Sequence, residues 1–169
     1  MIIENKPLVS IVILNYNGKK YIKNCIESIK NQKYSNIELI LVDNASTDGS
    51  MVGLKKLYPE IKLIINNQNL GSAKANNIGA ESSKGEYLFF LNIDTKLDSY
   101  CIDNLVETFK SDTEIGICAC KELSYDGKIQ WNCGIAVDIF GYSLQGIPKK
   151  VFHASSSSLF IKKELFNKV

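Results

Sequence analysis

Continuous apolar runs and helically spaced apolar stripes take turns along this chain. Leu8 to Leu14 (LVSIVIL) is a run rich in β-branched residues, the mark of a strand covered on both faces. After Gly18, the positions Tyr21, Ile22, Cys25, Ile26 and Ile29 recur at helical spacing and predict a helix with one buried face. Ile37 to Val42, interrupted only by Glu38, predicts a second strand. Ser46 or Thr47 is placed to cap a helix carrying Met51, Leu54 and Leu57, which Pro59 ends. Ile61 to Ile65 predicts a third strand, and Gly71-Ser72 opens a helix of small residues (Ala73, Ala75, Ile78, Gly79, Ala80). Glu86 to Leu91 (EYLFFL) is a fourth strand, and Ser99 is the expected cap of a helix with Ile102, Leu105, Val106 and Phe109 inward. Beyond Gly116 the pattern loosens into short strands, with Asp126-Gly127 as a hairpin signal and Ser155 to Ser158 as a loop. Strands alternating with helices predict right-handed βαβ units, hence an α/β fold on a mainly parallel sheet.

Composition narrows the classes. At 169 residues, 45% hydrophobic and 22% charged, the chain suits one globular domain. A net charge of +2, with both signs interleaved, lacks the electrostatic footprint of a nucleic-acid partner. No run approaches the roughly 18 apolar residues of a membrane helix, so contact with a membrane is expected to be peripheral at most. Met1 to Lys6 has no apolar core of a signal peptide. The five cysteines (Cys25, Cys101, Cys118, Cys120, Cys133) are odd in number and read as buried free thiols of a reducing compartment. Cys118 and Cys120 have no His nearby and make no zinc set.

Four polar clusters sit at strand ends. Asp43 ends the second apolar run and is followed by the turn Asn44 to Ser50, which delivers a carboxylate to the carboxyl edge of the sheet, where open α/β sheets bind ligands. Such a carboxylate can accept from a ring N–H of a uracil or thymine. Asn15-Tyr16-Asn17 follows the first strand, and Tyr16 offers a stacking face, although a plain polar turn would look the same. In Asn69 to Gly79 (NLGSAKANNIG) a glycine and small residues precede a helix N-terminus. That arrangement admits an anion to free backbone N–H groups, with Lys74 adding charge, or simply packs a helix tightly on the sheet. Asn92-Ile93-Asp94 ends the fourth strand, where Asp94 is either a helix cap or an oxygen ligand for Mg²⁺ or Mn²⁺. All four lie at one sheet edge, and this convergence favours a site over four separate turns.

Taken in order, PLVSIVILNYNGKKYIKNCIESIKNQ, IELILVDNASTDGS, NLGSAKANNIG and GEYLFFLNIDT resemble the inverting family of nucleotide-sugar glycosyltransferases with the GT-A fold, over residues 7 to about 98. The resemblance implies a Rossmann-like sheet whose residues 7–98 form a nucleotide-sugar-binding half and whose residues 99–169 begin an acceptor half. It implies that Asn15, Tyr16 and Asn17 contact the nucleoside, that Asp43 binds the base, and that Gly71, Ala75 and Asn77 lie near ribose and diphosphate; Asn44 and Lys74, beside these positions, are read with them as nucleotide-binding. Asn92, Ile93 and Asp94 stand in place of the D-x-D motif for cation and sugar diphosphate, with Asn92 replacing the first Asp and leaving Asp94 as the metal candidate. The implied activity is metal-assisted transfer, with inversion, from a UDP- or dTDP-sugar to a glycan or lipid-linked acceptor. It would take place in the cytoplasm, at most at the inner membrane face. The family's catalytic base lies beyond a strand and helix resembling Ser157 to Val169, so it is expected outside this chain, and Asp126 and Asp138 are not expected to replace it.

Other features add less. His153 reads as structural, Trp131 and Tyr142 as core or acceptor-site aromatics, and Lys149-Lys150 and Lys162-Lys163 as solvated. A sugar nucleotidyltransferase would need a basic Gly-rich loop after the first strand, which Leu14 to Gly18 lacks. A noncatalytic nucleotide-sugar or glycan-binding module remains the competing class.

Overall fold

The structure is a computed structural model, and it describes residues 6–124, 126, 136–137, 143–144 and 157–168. Trp131, Cys133, Asp138, Tyr142, Lys149, Lys150, His153 and the Asp126-Gly127 hairpin lie wholly or partly outside those residues.

The elements run β1 (Val9–Asn15), α1 (Ile22–Lys30), β2 (Ile37–Asp43), α2 (Leu54–Leu57), β3 (Lys62–Ile65), α3 (Ser72–Glu81), β4 (Tyr87–Asn92) and α4 (Cys101–Ser111). They continue as β5 (Ile117–Ala119), β6 (Ala136–Val137), β7 (Ser143–Leu144), β8 (Ser158–Lys162) and α5 (Lys163–Phe166). Six strands form one sheet in the order β3-β2-β1-β4-β8-β5, and β6 and β7 form a separate antiparallel ladder. The β3-β2-β1-β4 half is parallel, whereas β8 runs antiparallel to both β4 and β5.

The two-residue period of the strands sorts the core into two layers. Val9, Ile11 and Ile13 of β1 face Cys25, Ile26 and Ile29 of α1 and Ile102, Val106 and Phe109 of α4, together with Leu41, Phe89 and Phe160. Val12, Ile40, Val42, Leu88, Phe90 and Ile161 face Ala75 and Ala80 of α3, with Leu165 and Phe166 of α5 alongside. Helices thus cover both faces, which is why β1, β2 and β4 read as continuous apolar runs. Tyr87, Phe109 and Phe160 form an aromatic cluster with ring centroids 5.1–5.5 Å apart, locking α4 and β8 onto β4.

At the amino edge of the sheet, Glu38 accepts from Ser10 Oγ and from the backbone N–H groups of Lys84 and Gly85. Ser10 is wholly buried, so this polar position inside an apolar run ties β1 and β2 to the chain entering β4.

Five expectations are corrected. Ser46 and Thr47 cap no helix: Gly49 and Gly53 adopt φ of 79° and 71°, the helix shrinks to Leu54–Leu57, and Leu57 is 70% exposed. Ser99 does not cap α4, because Asp98 occupies that turn, its Oδ1 accepting from Tyr100 N at 3.0 Å and its carbonyl from Cys101 N at 3.1 Å. Ser158 belongs to a strand and not to a loop, its hydroxyl donating to Glu122 at 3.0 Å. Lys163 is half-buried, its Nζ donating to Ser83 O at 2.6 Å across to the end of α3. Of the described cysteines only Cys25 is fully buried.

Candidate functional site

The strand registers bring the predicted residues together. Asn15 pairs with Asp43 across β1–β2, and Leu14 pairs with Asn92 across β1–β4. Asp43, Asn15 and Asn92 therefore end three adjacent parallel strands, and the winding direction of the sheet reverses between β1 and β4. A crevice at such a switch point is where open α/β sheets bind ligands.

Asp43 is 2% exposed. Its Oδ1 accepts from Asn15 Nδ2 at 2.7 Å and Ser46 Oγ at 2.6 Å, and its Oδ2 accepts from Ser46 N at 3.0 Å. An ionised carboxylate has about four acceptor positions, so Oδ2 keeps lone-pair capacity for one more donor. Asn15 Nδ2 also reaches Ser46 Oγ and Ser50 Oγ, each at 3.0 Å, whereas Asn15 Oδ1 is buried without a partner. Gly18 closes the turn over it: a Cβ there would strike Asn15 Oδ1 and Ile93.

The loops after β1 and β2 are zipped to one another. Asn17 N donates to Ser46 Oγ at 2.9 Å, Thr47 N donates to Asn17 Oδ1 at 2.8 Å, and Lys19 N donates to Asp48 Oδ2 at 2.8 Å. Hydrogen bonds from Ser50 above all, and from Lys19, hold the Asp48 carboxyl below the ordinary carboxylate range. Asn17 and Ala45 take φ of 53° and 64°, the left-handed region that costs a side chain energy, and among the described residues they are the non-glycine positions that do so. Tyr16 stands between these clamps with half its surface exposed, presenting its ring to solvent.

Asn44 is 2% exposed, and its side chain is engaged with the turn after β3. Its amide donates to Asn69 Oδ1 at 2.7 Å, and its Oδ1 accepts from Asn66 Nδ2 and Leu70 N, each at 3.1 Å. This clamp shapes the turn that ends at Gly71, whose φ is 78°. No side chain caps α3, so the N–H groups of its first turn face outward beside exposed Gly71, Ser72 and Lys74. Ala75 packs on the sheet, and Asn77 lines a cavity of about 370 Å³ with Glu81, Phe166 and Asn167, apart from the cavity beside Asn92. Its neighbour Asn76 has a buried Oδ1 without a partner, and nothing in an Asn-Asn pair distinguishes the two in sequence.

Asn92 to Thr95 is a tight turn in which the Asn92 carbonyl accepts from Thr95 N at 3.2 Å and Thr95 Oγ1 at 2.6 Å. Ile93 is buried against the core and Gly18, which leaves Asn92 and Asp94 on the open side. They line a cavity of about 820 Å³ together with Asp98, Lys121 and Glu122. Asp94 is exposed, and among the described residues no hydrogen bond or ion pair engages its carboxylate. No set of three or more His, Cys, Asp or Glu side chains among the described residues could cage a metal. One free carboxylate at a strand end fits a cation that takes its remaining ligands from phosphate and water, as Mg²⁺ and Mn²⁺ do. Glu122, which accepts from Ser157 and Ser158, is a cavity residue that sequence reasoning missed, because its partners lie on a distant strand.

Comparison with known proteins is consistent with this arrangement. Residues 10–169 match the profile of Glycosyl transferase family 2. The chain is 31% identical over 177 aligned positions to glycosyltransferase GlyG of Streptococcus pneumoniae serotype 4, covering 96% of this chain and 59% of that protein. It spans 37% and 36% of two Haemophilus influenzae glycosyltransferases that it also matches. Its fold superposes on the mannosyltransferase PcManGT from Pyrobaculum calidifontis, solved with GDP-Man and Mn²⁺, with a TM-score of 0.72 and 21% identity over 98% of this chain and 47% of that one. It superposes on residues 1–349 of S. aureus TarS, solved with UDP-GlcNAc, with a TM-score of 0.70 and 17% identity over 95% of this chain and 47% of that one. The sheet with helices on both faces is thus the GT-A fold.

Proposed function

The chain belongs to Glycosyl transferase family 2, and on that premise we propose that it holds the nucleotide-sugar donor of a transferase acting on a glycan or lipid-linked acceptor with inversion. The observation that carries this reading is the placement of Asp43 and Asp94 at the ends of strands lying on either side of β1. Two strand spacings, about 10 Å, separate the ends of β2 and β4, a span on the scale of a nucleoside between its base and its phosphates.

In this reading Asp43 Oδ2 accepts the ring N–H of a uracil or thymine, and Asn15 fixes the carboxylate from below. Tyr16 stacks on the base, and Asn17 and Asn44 hold the loops to either side. Gly71 lets the diphosphate approach the uncapped first turn of α3, where Lys74 contributes charge, and Asn77 of the same helix lines a separate cavity. Asn92 and Asp94 face the sugar and its diphosphate across the cavity, and Ile93 anchors their turn. Asp94 would hold Mg²⁺ or Mn²⁺, which when bound supplies Lewis-acid neutralisation of the departing diphosphate. All of these are binding roles, and no residue of this chain is assigned as the base.

Calorimetric titration with UDP, dTDP, GDP and ADP, each with and without Mn²⁺, tests the proposal. A pyrimidine diphosphate should bind, and Asp43→Ala should weaken it about tenfold or more, the cost of one buried charged hydrogen bond. Asp94→Ala should remove the dependence on Mn²⁺. A folded chain that binds none of the four, or binds them equally in both variants, overturns the assignment.

A further inference from the structure

A pair of thiols outside the nucleotide machinery stands in the wall of the cavity beside Asn92. Cys101 opens α4, and Cys120 follows β5. Their sulfur atoms lie 3.6 Å apart, both residues are half-buried, and both line the cavity of about 820 Å³ that contains Asn92 and Asp94. Among the described residues this is the one thiol pair in contact. Cys25 is buried under the Asn92 turn, and Cys118 packs against the core beside Phe160.

We propose that Cys101 and Cys120 form a reversible oxidation site, a disulfide that staples the start of α4 to the end of β5 in the wall of the donor cavity. Closing the bond brings the sulfurs about 1.5 Å nearer, to the roughly 2.05 Å of a disulfide. The two thiols have distinct roles. Either thiol can donate to the other across this contact; that hydrogen bond holds Cys101 below the ordinary thiol range, and the place of Cys101 in the first turn of α4 favours the thiolate there. The same hydrogen bond and burial push Cys120 up. Cys101 is therefore the thiolate that meets the oxidant, and Cys120 is the thiol that resolves it.

The oxidant is a hydroperoxide. The Cys101 thiolate attacks one peroxide oxygen, the O–O bond breaks, and the departing hydroxide takes up the thiol proton as water. Cys120 then attacks the sulfenic sulfur: the S–S bond forms, the S–O bond breaks, and hydroxide leaves with the Cys120 proton as a second water. Two thiols lose two electrons and one peroxide gains them, and a dithiol reductant reverses the change. Cys25 stays out of this chemistry, since burial pushes its thiol up to about 12.

The test is to treat the folded full chain with hydrogen peroxide, block remaining thiols with iodoacetamide, and map tryptic peptides by mass spectrometry. The expected product links peptide 97–110 to peptide 111–121 through Cys120, also in Cys118→Ser, and dithiothreitol reverses it. Cys101→Ser and Cys120→Ser should each abolish the link. It should form about ten times faster in the folded chain than in urea, as preorganisation requires. Linkage of Cys101 to Cys118 or Cys133, equal rates in urea, or sulfinic acid at Cys101 with no link overturns the proposal.

Discussion

Ala45 holds its backbone at φ 64°, where a Cβ crowds the following carbonyl, and it does so directly after the Asp43-Asn44 pair. That conformation costs roughly 1–2 kcal/mol for an L side chain, and glycine would avoid it at an entropic cost of roughly 0.5–1 kcal/mol. Ala45→Gly is therefore expected to stabilise the chain by up to about 1 kcal/mol, read as a higher Tm. Buried tyrosines give a second residue-level expectation. Burial pushes Tyr34, which donates to Pro7 O, up to about 12, and burial followed by the hydrogen bond to Glu27 does the same for Tyr58. A raised folded value means that the stabilisation is complete below the unfolded value of about 10 and is lost as pH climbs from there toward 12. Phenolate absorbance in the native chain should lag that of the urea-unfolded chain across this window. Coincident titration curves would show both hydroxyls free. At this scale Asp43 and Asp94 were readable in the sequence, because each is an acid that ends an apolar run. Asn76 and Glu122 were not, since what distinguishes them is a partner, or the lack of one, set by distant loops.

Among the elements, α3 meets the sheet more closely than any propensity scale registers. A Cβ on Gly79 would strike Val12 and approach Val42 within 3.2 Å. Alanine would gain about 1 kcal/mol in an isolated helix, but overpacking costs roughly 1–3 kcal/mol. The contact with Val12 lies well inside van der Waals distance, so the clash wins, and Gly79→Ala should lower stability by up to about 2 kcal/mol in urea unfolding. An increase would mean that α3 can lift from the sheet. The strands β1, β2 and β4 were plain in the sequence because double-sided burial leaves an unbroken apolar signature. The stretch before Leu54 departs from its helical pattern because two left-handed glycines stop the helix, and Asn17 N and Asn15 Nδ2 donate to the Ser46 hydroxyl oxygen that a cap would have used. The strand β8 begins in a serine run, and only Glu122, three residues beyond β5, explains why Ser158 is buried.

As a whole, the molecule rests on its two apolar layers more than on surface charge. The described ion pairs, Lys6–Asp103, Lys30–Glu60 and Lys110–Glu107, are solvent-accessible and lie at 3.0–3.4 Å. Such pairs contribute roughly 0–1 kcal/mol each. Raising salt from about 0.05 M to about 0.5 M, where screening is nearly complete, should therefore shift the urea midpoint little, and a large loss would reveal a buried electrostatic contribution. The central sheet also dictates an order of events. In chain order β8 follows both of its partners, yet it lies between β4 and β5. While a ribosome is still making the chain, emerged β4 keeps a bare hydrogen-bonding edge and an aromatic face that lacks Phe160. Only when residues 158–162 leave the exit tunnel can that edge be sealed, so the nascent chain has a built-in interval in which the edge is open to wrong pairing.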